Sequence, residues 1–384
     1  MIWSLYLIVI TIALMMLPLV PGLMELFRPT DLEPLRVPQG YDSNPMHFAD
    51  GFRGFIAKHD FGDKSSKINR DGIIKEVGKY QVVGVKGIPT LSNNPTVDRL
   101  LLSTYDLMLP ADKLFEKEVY TTANITTSNN GYFRTLLAGK DMQIGNGCMV
   151  IRWAHAEGNM TVGRKTTLLG RITSRSQITL GEGCSFERLY APKIVFVEEE
   201  EPPVVAHSTE RKVLKELDDV RLKSARRNLL RGRLVIPERH VFDGDVVTFG
   251  KADIEDYGYL KGSIKCNAHQ DIGRYVQESA SIEDSIKGTT RFKIGNHVRI
   301  DGSIFCTHDI FIGENCLIAG PVIAENRLVI GSGTVIGTPD APCSIIANEV
   351  IVERGVVIYG TIWATKVGKV TLPAQQERQV RMSA

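Results

Sequence analysis

Residues 292–337 read FKIGNHVRIDGSIFCTHDIFIGENCLIAGPVIAENRLVIGSGTVIG. Within them an aliphatic–Gly pair returns at a fixed step, since Ile294-Gly295, Ile312-Gly313 and Ile330-Gly331 are each 18 residues apart. Eighteen is three sixes, and the sixes are visible: Ile294, Ile300, Cys306, Ile312, Ile318, Ala324 and Ile330 form one series, and Phe292, Val298, Ile304, Ile310, Cys316, Val322 and Leu328 form a second, two positions earlier. Two apolar residues separated by one position make a short strand with one inward face. The Gly after the second suits a corner, where φ > 0 or close backbone approach is needed. Three short strands and three corners make one coil, and stacked coils make a parallel, three-sided β-solenoid with an all-β core.

The step extends outward from this stretch. Ile236, Ile254 and Ile272-Gly273 keep it on the N-terminal side, with 22 residues from Ile272 to Ile294 ascribed to a corner insertion. On the other side Ile330 to Val352 is again 22, the excess falling in the Pro-rich loop Thr338–Pro342. A second block shows Ile144-Gly145, Val162-Gly163 and Leu180-Gly181. The pattern therefore predicts solenoid over 141–197 and again over 234–370.

The remaining segments read differently. Met1 to Val20 is almost wholly apolar with no charged side chain before Glu25, long enough to cross a hydrocarbon core. A cleaved signal peptide is the competing reading, but no basic start and no small-residue cleavage site are present. Residues 1–24 are thus expected to be a retained transmembrane anchor. Arg28, Arg36 and Arg53 follow it, so the positive-inside rule places the bulk of the chain in the cytoplasm with a single membrane pass. Pro29, Pro34, Pro38 and Pro45 mark 25–47 as an extended linker. Residues 48–140 lack the 18-residue step and are expected to be a small α+β region capping the first coil. In 198–233 an acidic run (Glu198–Glu201) and Pro202-Pro203 precede a helical composition over Ser208–Arg231. That insertion lies on a solenoid face or touches anionic lipid with Lys223, Arg226 and Arg227. Residues 371–384 form a polar tail.

Composition excludes some functions. The chain has 384 residues and a net charge of +2, with no basic stripe of interleaved aromatics for nucleic acid. Of its six cysteines, Cys148, Cys184, Cys266, Cys306 and Cys316 fall in inward slots. None has metal-ligand spacing, and thiols in such a core favour a reducing compartment. Ile330-Gly331-Ser332-Gly333 is a corner and not a nucleotide fingerprint. No catalytic, cofactor-binding or metal residue is assigned, and no cofactor or small-molecule substrate is expected.

Two family resemblances follow from the repeat. The six-residue series resembles the hexapeptide-repeat acyltransferases, whose catalytic histidine makes His269, His297 and His308 candidates for acyl transfer to an envelope sugar. No carboxylate partner at a recognisable spacing accompanies any of them. The unit Asp309–Gly320 and its relatives Phe292–Gly302, Leu328–Gly337 and Met160–Gly170 are more similar to the coils of bactofilins, including a second Gly eight residues after the marker aliphatic at Gly170, Gly244, Gly262, Gly302, Gly320 and Gly360. This resemblance covers residues 140–200 and 232–366. It implies a right-handed β-helix that polymerises end to end without nucleotide, a cytoskeletal scaffold at the inner membrane whose partners are other copies or envelope-assembly proteins. The right hand is also the usual crossover preference. To that family pattern this chain adds the apolar N-terminus, the 48–140 region and the insertion.

Overall fold

The computed structural model describes residues 3, 6, 11, 15, 44–59, 72–77, 80–84, 94–196, 222–223, 228–230, 234–248, 252–255, 257–266, 274–276, 280–289 and 291–371. The chain divides into Met1–His47 and Phe48–Ala384. In the first unit Trp3, Tyr6, Thr11 and Met15 are helical and exposed. The rest of the expected anchor over 1–24, the linker up to residue 43 and the tail beyond 371 lie outside the described residues. Among those described, no helix is long and apolar enough to cross a membrane.

The second unit is a parallel β-solenoid of about 13 turns with the 18-residue spacing. Its columns are those the repeat dictates. Ile236 pairs with Ile254, then Val276, Ile294, Ile312, Ile330 and Val352, and finally Val370. Ile294, Ile312 and Ile330 are all nearly inaccessible. Each coil is too small to bury its apolar face alone, so stacking identical slots is what makes the core continuous.

Two corners explain the glycines. Directly after the marker aliphatic, a Cβ on Gly313 would sit 2.6 Å from the Gly295 carbonyl oxygen, and one on Gly331 2.6 Å from that of Gly313. Close approach of successive coils is therefore the reason for Gly there. The left-handed residue of this corner lies two positions later, at Asp112, Asn130, Lys165, Arg239, Tyr257, His297 and Asn315 (φ 54–59°) and at Gly147, Gly183, Gly333 and Gly355.

Orphan polar groups at this corner are satisfied from within the column. The Cys148, Cys184 and Cys316 thiols donate to the carbonyls of Ser128, Gly163 and Gly295 at 3.2, 3.0 and 3.1 Å. The hydroxyls of Thr166 and Thr334 do the same to Gly145 and Gly313 at 2.9 Å. A cysteine here is a donor as well as a small apolar side chain. Burial pushes the Cys184 and Cys316 thiols up to about 11.

Several boundaries differ from the sequence expectation. Parallel coils begin well before residue 141: Leu107 pairs with Ile125 and Thr96 with Leu114, and both columns run on into the first block. Among the described residues, the helix α1 (His47–Lys58) and the antiparallel hairpin of Gly72–Val77 with Tyr80–Gly84 remain as a cap, the latter strand pairing with Leu100–Ser103. The marker of the coil after Ile254 is Val276 and not Ile272, because the insertion falls before Arg274–Val276. Leu222–Lys223 and Asn228–Leu230, expected in a helix, are strands paired with the next coil. Residues 198–221 lie outside the described residues.

The two blocks meet at an antiparallel seam. Ser185–Phe196, the last strand of the first stack, pairs with Val357–Thr371, the last of the second, matching Ser185 with Lys369, Leu189 with Ile362 and Ile194 with Ile358. Each stack has an apolar open end after its final coil, and the seam buries one against the other. Phe186 packs under Gly368, where a Cβ would meet its ring at 2.1 Å.

Candidate functional site

The histidines weighed from the sequence take corner positions. His297 is exposed and occupies the left-handed slot, its backbone N–H donating to the Glu314 carbonyl at 2.8 Å. His308 is exposed at another corner, its Nδ1 3.2 Å from the Thr307 hydroxyl. His269 lies outside the described residues.

The histidine that is built into a cluster is His155, which the repeat does not single out. It lies in an outward-facing column with Leu102, Tyr120, Leu137 and Thr173, the last two its immediate strand neighbours, yet it is fully buried because α1 lies over that face. The helix forms for ordinary reasons. Asn44 caps it, its side-chain oxygen accepting from the Met46 N–H at 2.9 Å. Phe48, Phe52, Phe55 and Ile56 then fall on one stripe. Phe52 meets the edges of Tyr120 and Trp153 with centroids 6.1 Å away, and Ile56 packs with Val82, Leu100 and Leu102.

Polar groups ring this apolar contact. His155 Nε2 is 3.2 Å from Glu157 Oε1 and Nδ1 is 2.7 Å from Thr173 Oγ1. Glu157 also pairs with Arg53 of the helix and, through Oε2, with Arg175 Nε at 2.7 Å, while Asp50 lies 3.3 Å from Arg53 Nη1 and 3.5 Å from Arg175 Nη2. Burial holds the His155 pKa below its ordinary value, opposed by the Glu157 hydrogen bond and reinforced by Arg53. Burial pushes Glu157 up, but His155, Arg53 and Arg175 outweigh it and hold the carboxyl low. Neutral His155 therefore donates from Nε2 to an ionised carboxylate and accepts from the Thr173 hydroxyl at Nδ1.

A hydroxyl, a base and an orienting carboxylate in series is the pattern of an activated nucleophile. Here Thr173 is 3% exposed and His155 0%, so no substrate atom reaches either. What the arrangement does chemically is fasten α1 to the stack. The signal that marks it in the sequence is His155-x-Glu157 in one coil together with the Phe48/Phe52/Phe55/Ile56 stripe.

Among the described residues no group of three or more His, Cys, Asp or Glu could hold a metal. A small, mostly apolar cavity of about 20 Å³ lies in the second stack between Ile254, Ile264, Ile286 and Phe292, with Cys266 and Lys293 also on its wall, room for about one water. The larger surfaces are the stack ends. The seam occupies both C-terminal ends, and the ends opposite it are Gly72–Val77, paired among the described residues only with Tyr80–Gly84, and the coil beginning at Leu222. Comparison with protein-family models, with curated proteins and with solved structures finds no match to this chain.

Proposed function

We propose that the chain is a membrane-anchored scaffold of the bactofilin type, which associates with further copies or holds envelope-assembly proteins at the inner face of a bacterial cell membrane and carries out no reaction itself. The observation that carries this reading is the seam. It shows that a terminal coil of this solenoid recognises another terminal coil through strand pairing and apolar end packing. Unpaired edges are templates for the same chemistry, and among the described residues no further strand is paired onto the two ends opposite the seam. The right-handed coil and the anchor over residues 1–24 belong to the proposal, the first from the crossover preference and the second from the apolar run. The acyltransferase reading gains nothing from His297, whose slot is shared by Asn315, Gly333 and Gly355.

The test is electron microscopy and sedimentation of the detergent-purified full chain across a concentration series. Filaments or ordered oligomers are expected. Particles that remain monomeric at every concentration contradict the assembly reading, and calorimetric binding of acetyl-CoA contradicts the absence of a reaction.

A further inference from the structure

One outward column crosses the seam without interruption. From Lys265, which follows Val247 in the register, and Lys287 it continues through Phe305, Ile323 and Ile346 to Trp363, and passes the seam to Arg188 and then Arg171. Each residue is one rung from the next, so these seven steps at about 4.8 Å extend over about 34 Å. None of these eight residues is acidic; past Arg171 the column runs on through Trp153 and Thr135 to Glu118. Lys265, Lys287, Trp363 and Arg188 are exposed, and Phe305, Ile323 and Ile346 are half-buried. The cations lean onto the rings beside them: Lys287 Nζ is 5.1 Å from the centre of Phe305 and Arg188 Cζ is 4.3 Å from that of Trp363. At the far end Arg171 lies 5.0 Å from the ring of Phe48, itself 48% exposed, where the polypeptide enters this unit.

The geometry points to an anionic lipid bilayer as the partner of this strip. Lys265, Lys287 and Arg188 would meet headgroup charge, and the four apolar rungs between them would enter the interfacial layer, with Trp363 in the environment such rings favour. A nucleic-acid backbone would need cations along the whole track, whereas the centre of this one is uncharged. The inference deepens the membrane location proposed above, placing the solenoid side-on against the bilayer.

The experiment uses the full chain carrying Trp3→Phe, with and without Trp363→Phe, on vesicles of brominated phosphatidylcholine alone or mixed with phosphatidylserine. The difference between the two variants isolates Trp363 emission. We expect quenching of Trp363 on the anionic vesicles and little on the neutral ones, and at least about tenfold weaker binding to anionic vesicles for Lys265→Glu/Lys287→Glu. Equal Trp363 emission on both vesicle types overturns the inference, including the case where a protein or nucleic acid is the true occupant. Flotation on neutral vesicles reports the N-terminal anchor separately. A chain that floats there with Trp363 unquenched by phosphatidylserine loses the strip and keeps the anchor, and one quenched only on anionic vesicles that fails to float on neutral ones does the reverse.

Discussion

At the residue scale the corner after each marker aliphatic sets the rules. His297 adopts φ 56° there, a conformation that costs a non-Gly residue about 1–2 kcal/mol and that Asn and Gly tolerate best. His297→Asn is expected to leave stability nearly unchanged, whereas β-branched His297→Val lowers it by about 1–2 kcal/mol in urea titration. Equal stability of the two variants would contradict the corner assignment. The neighbouring Thr334 hydroxyl accepts from the Cys316 N–H at 3.1 Å and donates to the Gly313 carbonyl at 2.9 Å. Thr334→Val keeps the volume and strands both groups, at an expected loss of about 1–3 kcal/mol. Thr334→Cys, the residue the column uses at 148, 184 and 316, should cost less. If Val and Cys behave alike in the same titration, the side-chain ladder contributes nothing.

At the element scale α1 is held by a pH-dependent contact. Glu157, Arg53 and Arg175 act on His155 directly, Asp50 pairs with both arginines, and Tyr120 lies two rungs along the same column beside Arg53 and Glu157. The folded His155 has a pKa below its ordinary 6.5, so the unfolded state takes up the proton first as pH falls through that value. Stability is then full above pH 6.5 and declines below it, and the depressed Glu157 adds a loss of the same sign below its ordinary 4.5. Hydrogen-exchange protection of the Phe52–Ile56 amides, corrected for intrinsic rate, should fall several-fold between pH 7 and 5 and fall less in His155→Gln. Wild-type protection that is flat over this range would show that the histidine does not govern the helix. This element was hidden from the sequence for a physical reason: an outward slot in a solenoid reads as solvated unless the segment that covers it is known. The early coils were hidden too. Leu109-Pro110 and Thr127-Ser128 stand in the slot that Ile144-Gly145 fills two coils and one coil later, and the step from Ile125 to Met142 is one residue short. Thr127 nonetheless does the work of its slot, with its Oγ1 accepting from the Gly145 N–H at 2.9 Å.

At the scale of the Phe48–Ala384 unit, the columns of Ile294, Ile312 and Ile330 were legible because every coil repeats the same steric demand. Ile272-Gly273 imitated a marker pair and drew the expected register four residues away from Val276. The seam left a fainter trace. Strands elsewhere in the second stack are mostly two to four residues long, but Val357–Thr371 runs for 15 and its partner Ser185–Phe196 for 12, with Cys343–Glu353 beneath the former running for 11. Pairing between two ends imposes no period, so nothing in either strand announces the other. The account depends most on that junction, which turns two stacks into one ladder and lends the scaffold proposal its chemistry. The direct measurement is a cysteine pair, Ser185→Cys with Lys369→Cys in the full chain, mildly oxidised and mapped by mass spectrometry. Residues opposite one another on antiparallel strands lie within disulfide reach, and the native Cys184 thiol beside them is buried and held at about 11. A 185–369 disulfide within a single chain is predicted; its absence, or its formation only between chains, would contradict the seam.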